Sequence, residues 1–352
     1  MPGPQSSISR AASALTRIPP RTEGVRATIR TGFDAEYVPR GYVAAVLRLT
    51  FLGTSSSRPT VRRGVSSLAV QRGGDLHLFD CGEGTQRQMM RYAVGFAVRD
   101  IFISHMHADH YLGLPGLLRT MSLQGRTDEL VVRGPSGSVE DLERALQLGG
   151  DRLGFPVRVA GLDPGDEVSF GDYAVRAFRT DHTASSLGFA LVEADRLGRF
   201  DVGKALAAGV PEGPLFGRLH RGEDVELPDG TVVRANDLVG DSRPGRKLVY
   251  SADTRPCQAT REAAEGADLL VHEATFGTED GSRAVETRHS TAREAAEVAV
   301  DAGVRQLILT HFSARHSEQP GRLVAEARKV FPQVSAAEDG MVVEPALQES
   351  AS

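Results

Sequence analysis

The sequence predicts a layered α/β fold, and three features predict it. From Val46 onward, short apolar runs of strand length alternate with stretches of helical periodicity. Mixed elements in this rhythm pack as sheets covered by helices. The side chains able to do chemistry stand just beyond the apolar runs, where α/β sheets place their sites.

Strands are predicted at Leu47–Gly53, Ser67–Gln71, Leu76–Asp80, Asp100–Ser104, Glu129–Gly134, Tyr173–Thr180, Leu187–Val192, Lys247–Ser251, Asp268–His272 and Gln306–Thr310. The most apolar early stretch, Val43 to Leu52, is broken by Arg48 and Thr50, so it reads as a strand. Helical periodicity covers Thr85–Tyr92, Leu112–Met121, Val139–Leu148, Thr291–Ala302 and Leu323–Phe331. Thr291 followed by Glu294 forms a capping-box pattern that would open the fourth helix.

Two segments break the rhythm. Residues 1–42 are rich in Ser, Pro and Arg, lack apolar periodicity, and read as a disordered N-terminal extension ahead of one domain over 43–352. Residues 195–246 are long, polar and turn-rich, the kind of insertion that is functional or disordered. No repeat of solenoid or propeller period is present.

Bulk properties exclude several classes. The 352 residues are 40% hydrophobic and 25% charged, as in ordinary globular proteins. No run nears the ~20 apolar residues that span a bilayer, so no membrane partner is expected. Cys81 and Cys257 are isolated, which argues against a disulfide framework and points to a reducing, cytoplasmic setting. A net charge of −5 makes no global case for nucleic acid, so recognition of RNA must come from local features.

The chemistry concentrates at His105-Met106-His107-Ala108-Asp109-His110. His105 and His107 are two apart, so on extended backbone both imidazoles point the same way. Asp109 and His110 then open a helix near Tyr111 and turn toward a second point. One loop can thus address two metals, and imidazole with carboxylate suits zinc. Further ligands must come from elsewhere. His182, Asp253 and His311 each stand just after a strand that reads as buried.

This ordered set, with Leu78-Phe79-Asp80-Cys81-Gly82-Glu83-Gly84, resembles the metallo-β-lactamase superfamily. The resemblance implies a four-layer αββα sandwich and two Zn2+ per subunit. One zinc would take His105, His107 and His182, the other Asp109, His110 and His311, with Asp253 bridging. Phe51-Leu52-Gly53-Thr54-Ser55, the Cys81–Gln88 segment, Val271-His272-Glu273-Ala274-Thr275-Phe276 and His289-Ser290-Thr291 are similar to motifs of the ribonuclease Z family. Gly209–Arg221, including Gly209, Pro211, Gly213 and Pro214, resembles the hand of that family's protruding tRNA-binding arm. The family's Pro-x-Lys-x-Arg-Asn loop, which handles the tRNA 3′ end, reads Pro59-Thr60-Val61-Arg62-Arg63-Gly64 here. Arg63 keeps its place, while Val61 and Gly64 depart.

The resemblance implies a zinc endoribonuclease that removes the 3′ trailer of precursor tRNA, working as a homodimer whose arm reaches the tRNA on the other subunit. Asp109 would orient the attacking water. His289, held by Glu273 beside a helix start that favours phosphate, would contact the scissile phosphate or protonate the leaving oxygen. Two other readings stand beside this one: a hydrolase of a small phosphodiester or lactone that needs no arm, and a non-catalytic RNA-binding relative.

Overall fold

The computed structural model describes residues 45–148 and 152–348. The segment 1–42 read as an extension lies outside the described residues. Two seven-stranded sheets form the centre of the fold. In the first, Leu47–Gly53 is flanked by Val342–Val343 and Ser67–Arg72, and Asp75–Phe79, Val98–Phe102, Leu130–Pro135 and Val157–Leu162 follow in order. In the second, the order is Val334–Ala336, Leu307–Thr310, Leu269–Glu273, Lys247–Tyr250, Leu187–Glu193, Tyr173–Arg179 and Glu167–Ser169.

Strand periodicity sorts the side chains into layers, because successive residues face opposite sides. Leu47, Leu49 and Phe51 of the first sheet, and Phe189, Leu191, Leu248, Tyr250, Leu269, Val271 and Ile308 of the second, meet in one buried layer between the sheets. The alternate residues Val249, Leu270, Leu307 and Leu309 face outward, under the helices Ala292–Asp301 and Gly321–Arg328. Leu78, Ile101 and Ile103 do the same on the other side, beneath Thr85–Arg91, Leu114–Leu123 and Val139–Leu146. The result is the expected αββα sandwich. Among the described residues no helix is long and apolar enough to cross a membrane.

The predicted strands form within one or two residues of their expected limits. The edge elements Val157–Leu162, Glu167–Ser169, Val334–Ala336 and Val342–Val343 were not predicted, and neither were the helices Gln258–Ala264 and Gly281–Thr287. Val157–Leu162 is half exposed and lacks a clean buried face, and the other three edge strands are only two or three residues long, too short for a periodic signal.

The insertion is more than a polar loop. It holds helices Val202–Ala207 and Pro214–His220 and a small hairpin, Val225–Glu226 with Val232–Val233. These pack around a separate apolar cluster that includes Ala205, Val210, Phe216, Leu219 and Val225. Gly209, at φ +82°, follows the first helix, and Pro214 opens the second, the usual glycine-stop and proline-start chemistry. At its root the chain closes on itself. Arg196 and Arg243 exchange backbone hydrogen bonds of 2.7 and 2.8 Å. Next to them Arg246 pairs with the buried Glu193 through Nε at 2.7 Å and Nη2 at 2.7 Å. Arg72 of the first sheet donates to the same carboxylate at 2.9 Å, tying the arm's root to both sheets.

Candidate metal centre

The strand Val98–Phe102 ends beneath the loop carrying His105 and His107, and a single helical turn, Ala108–Tyr111, carries Asp109 and His110. The helix start therefore falls earlier than the predicted Leu112, and Leu114–Leu123 is a second helix after a break at Gly113. The break has a packing reason. A Cβ at Gly113 would lie 2.1 Å from the carbonyl oxygen of Gly82, and one at Gly82 would lie 2.3 Å from that of Asp109. Two glycines let the turn after Phe79 close on the histidine loop.

His182, Asp253 and His311 arrive from three strand ends of the second sheet. Nitrogen atoms of His105, His107 and His182 and an oxygen of Asp253 all lie within 4.8 Å of one another, as do ligand atoms of Asp109, His110 and His311. Asp253 faces both groups: Oδ2 is 3.3 Å from His110 Nε2 and 3.7 Å from His105 Nε2, and Oδ1 is 3.2 Å from His311 Nε2. The six other residues thus converge on one shared carboxylate.

Four imidazoles are oriented from behind. His105 Nδ1 donates to Ser104 Oγ at 3.0 Å, His110 Nδ1 to Asp80 Oδ2 at 2.8 Å, His182 Nδ1 to the Arg288 carbonyl at 2.9 Å, and His311 Nδ1 to Thr275 Oγ1 at 2.9 Å. Each leaves Nε2 as an inward lone pair, the arrangement that supporting hydrogen-bond partners impose on metal-binding histidines. His105 Nε2, His110 Nε2 and Asp253 Oδ1 are buried without a hydrogen-bond partner among the described residues. Orphaned buried acceptors are costly, and a cation among them relieves that cost. The donor set fits zinc.

Electrostatics favour a neutral ligand at His105. At His110, by contrast, burial is outweighed by Asp253 and Asp80, which raise the imidazole well above its ordinary value, so a metal there would displace a proton. Burial, reinforced by His110, lowers the pKa of His105 well below its ordinary value and keeps it neutral, the form that binds a metal. Burial pushes Asp253 the other way, but His311 and His110 outweigh it and hold the carboxyl well below its usual range. Cys81 is buried beside Thr85, and burial pushes its thiol up to about 12, so it is a packing residue.

Asp80 is the residue that sequence reasoning left without a role. Its carboxylate accepts Ser104 N–H, Ser104 Oγ–H, His110 Nδ1–H and the Tyr250 hydroxyl at 2.8 to 3.0 Å. Its signal was the Phe79-Asp80-Cys81-Gly82 step at a strand end. Asp80, Ala252 and His311 all take left-handed backbone, with φ of 60°, 51° and 58°. Such strain in non-glycine residues gathers where a site demands it.

Beside the cluster, His289 donates from Nδ1 to Glu273 Oε1 at 2.8 Å. Its ring stacks on His311 at 5.4 Å between centroids and lies 4.7 Å from His182. Glu273 is fully buried, and it also accepts Thr254 N–H at 2.9 Å and the Thr275 hydroxyl at 2.6 Å. Burial opposes charge on His289, but Glu273 outweighs it and raises the imidazole to about 9. Thr291 and Glu294 form the expected capping box. That box takes the helix-start N–H groups for itself: Thr291 N–H goes to Glu294, Ala292 N–H to the Phe276 carbonyl and Glu294 N–H to Thr291. The helix start therefore offers little to a phosphate, contrary to the expectation.

The remaining expected residues fall elsewhere. Arg63 is turned inward under the Phe312 ring, with Nη1 on Thr54 Oγ1 at 2.6 Å and the Ala337 carbonyl at 2.7 Å and Nε on the Ser317 carbonyl at 2.8 Å. Its guanidinium is occupied by the protein, so it braces its loop where substrate contact was expected. Gly209, Pro211, Gly213 and Pro214 lie in the arm, outside the histidine cluster.

Sheets, layers and metal-ligating cluster define a metallo-β-lactamase-fold hydrolase. Residues 217–312 match the family described as "Beta-lactamase superfamily domain", and residues 47–198 match "Anti-Pycsar protein Apyc1". Curated relatives named "Ribonuclease Z" include that of Gemmatimonas aurantiaca, 53% identical over 86% of this chain and 97% of the relative. That of Myxococcus xanthus is 52% identical over 87% and 100%. Among solved structures, human tRNase Z, short form, is 28% identical with a TM-score of 0.61, covering 85% of this chain and all of that one. The metallo-beta-lactamase fold protein YhfI of Bacillus subtilis, at 20% identity and TM-score 0.62, shares the fold. This chain belongs to the ribonuclease Z family, and it is a metal-binding endoribonuclease.

Proposed function

We infer that this chain is a zinc-dependent endoribonuclease that removes the 3′ trailer from precursor tRNA and leaves a 3′-hydroxyl on the tRNA. The observation that carries the reading is identity above half, over nearly the whole length of relatives named Ribonuclease Z, joined to a complete ligand cluster. His105, His107 and His182 would hold one zinc, Asp109, His110 and His311 the other, and Asp253 both. When bound, such a pair lowers the pKa of a water toward neutrality and stabilises charge on a phosphoryl oxygen.

The chain's own residues do the rest. Asp109 Oδ2 accepts the Ser57 N–H at 2.6 Å, which fixes the carboxylate beside the nucleophile so that it can orient the water and take its proton. His289 is fixed through Nδ1 by Glu273, which leaves Nε2 as the atom that would face the leaving-group side of a bound phosphodiester. A charged imidazole there donates a proton to the departing 3′ oxygen, and Glu273 stabilises that charge. The ring stack on His311 keeps donor and ligands in one frame.

The arm over 195–246 serves as the grip on the tRNA body, and its separate apolar core gives it the rigidity to do so. The free Cys81 and Cys257 suit the cytoplasm. Family likeness extends the reading to a homodimer in which the arm of one subunit holds the tRNA cleaved by its partner.

The test is incubation with a 3′-extended pre-tRNA, with and without a chelator, for wild type and Asp109→Ala. Cleavage at the trailer junction that stops with chelator, and falls by a factor of about 10² or more in the variant, is expected. Chelator-resistant cleavage contradicts the reading.

A further inference from the structure

Next to His289 lies a pocket of about 250 Å³, walled in part by Ser57, Arg58, Phe276, Arg283 and Arg315. This is near the lower end for ligand clefts, roughly 300 Å³ and upward, and suits one nucleotide better than a length of strand. Three guanidinium groups share the wall, in a chain whose net charge is −5. Elsewhere arginines are commonly tied to carboxylates, as Arg99 is to Asp75, Arg133 to Asp100 and Arg261 to Asp301. Arg58 and Arg283 are exposed, and among the described residues neither forms an ion pair with a carboxylate. Arg283 lies over the Phe276 ring at 5.7 Å, and Arg315 stands 3.5 Å from Asp280 with its side chain 63% exposed. Two cations without a carboxylate, and a third shared with Asp280, stand at a concave site beside a candidate proton donor and are placed for an anion.

The wall is anchored to the metal centre. Ser57 takes left-handed backbone, φ 61°, and gives its N–H to Asp109, so the following residue, Arg58, is held beside the reacting centre. We propose that this pocket holds the last nucleotide retained on the tRNA, with Arg58, Arg283 and Arg315 on the phosphate at its 5′ side. The inference rests on the pre-tRNA reading above. The direction follows from His289: the nucleotide bearing the 3′ oxygen it protonates lies on its side of the phosphorus. The trailer then leaves by the other side.

The experiment pairs an Arg58→Ala/Arg283→Ala protein with chemically altered pre-tRNA. One substrate carries a neutral methylphosphonate 5′ of the last retained nucleotide, the other carries it one step into the trailer. For unmodified pre-tRNA the double variant should raise KM roughly tenfold, more than it lowers kcat. It should also flatten the dependence of log affinity on log salt by about 0.7 for each arginine–phosphate pair removed. Wild type should be weakened by the tRNA-side methylphosphonate and the variant should not respond to it. Equal KM and equal salt slope overturn the proposal, and so does a variant that loses its response to the trailer-side change instead. If wild type hydrolyses bis(p-nitrophenyl) phosphate but leaves intact pre-tRNA uncut, the parent reading fails and takes this inference with it.

Discussion

His289 Nδ1 donates to Glu273 Oε1 at 2.8 Å, while Thr275 links the same carboxylate to the ring of His311 at 2.9 Å. One buried acid thus orients both the proposed proton donor and a proposed metal ligand. His289→Ala should lower kcat on pre-tRNA by roughly 10²–10⁴ while bound metal is retained. Single-turnover cleavage with metal analysis on the same sample checks this. A variant that cleaves at the wild-type rate removes His289 from the mechanism.

Asp80 sits behind the centre and accepts four hydrogen bonds, from Ser104, His110 and Tyr250. Asp80→Ala removes the group that sets His110's tautomer and should weaken metal affinity roughly 10–100-fold. Competition against a graded series of chelators reads the loss directly. Unchanged retention would mean that His110 needs no such support.

His77 gives a pH prediction away from the metals. Its Nε2 donates to Tyr173 Oη at 2.7 Å, and that hydroxyl donates onward to Asp75 at 2.7 Å, while Nδ1 is buried without a partner among the described residues. A second proton would have nowhere to go, and burial lowers the imidazole to about 4. Between about 6.5 and 4 the unfolded chain binds a proton at this site and the folded chain does not, so acid favours unfolding. Stability present above about pH 6.5 is lost as pH falls through that window, by up to about 3 kcal/mol. Denaturant melts of metal-free protein at about pH 7 and about pH 4.5 should therefore show a steeper loss for wild type than for His77→Gln. Parallel losses would contradict the assignment.

The arm makes its own prediction. Removing 195–246 entire would take Arg246 from the buried Glu193 and leave it Arg72 alone of its two arginine partners, a costly defect. Cutting instead between the paired Arg196 and Arg243 and closing with Asn-Gly keeps that clamp. This protein should bind metal as before and hydrolyse bis(p-nitrophenyl) phosphate, yet lose pre-tRNA cleavage by about 10²-fold or more. Retained pre-tRNA cleavage would remove the arm from recognition.

Much of the fold was legible because buried strands announce themselves. Leu47–Gly53 and Leu307–Thr310 are dense in buried apolar residues, and the second ends at His311. The centre was legible for the same reason: His182, Asp253 and His311 each follow such a strand, and the structure brings all three to the first histidines. What escaped was set by three-dimensional context. Asp80 stands in a motif that marks the superfamily, but its role is visible only once His110 and Tyr250 are folded onto it. Arg63 reads as part of the loop that handles the tRNA 3′ end, because no local pattern reveals that Thr54, Ser317 and Ala337 surround it. Arg58 and Arg283 are far apart in the chain and meet only across a pocket. The arm's core was hidden by its charged exterior, although Phe216 and Leu219 supply its centre.

Metal content per chain tests the central claim most directly. Elemental analysis of protein loaded with zinc and freed of excess should give two ions in wild type, and Asp253→Ala should retain at most one. Wild type that binds one ion or none, or an Asp253→Ala protein that still holds two tightly, would contradict a pair of metals sharing this carboxylate.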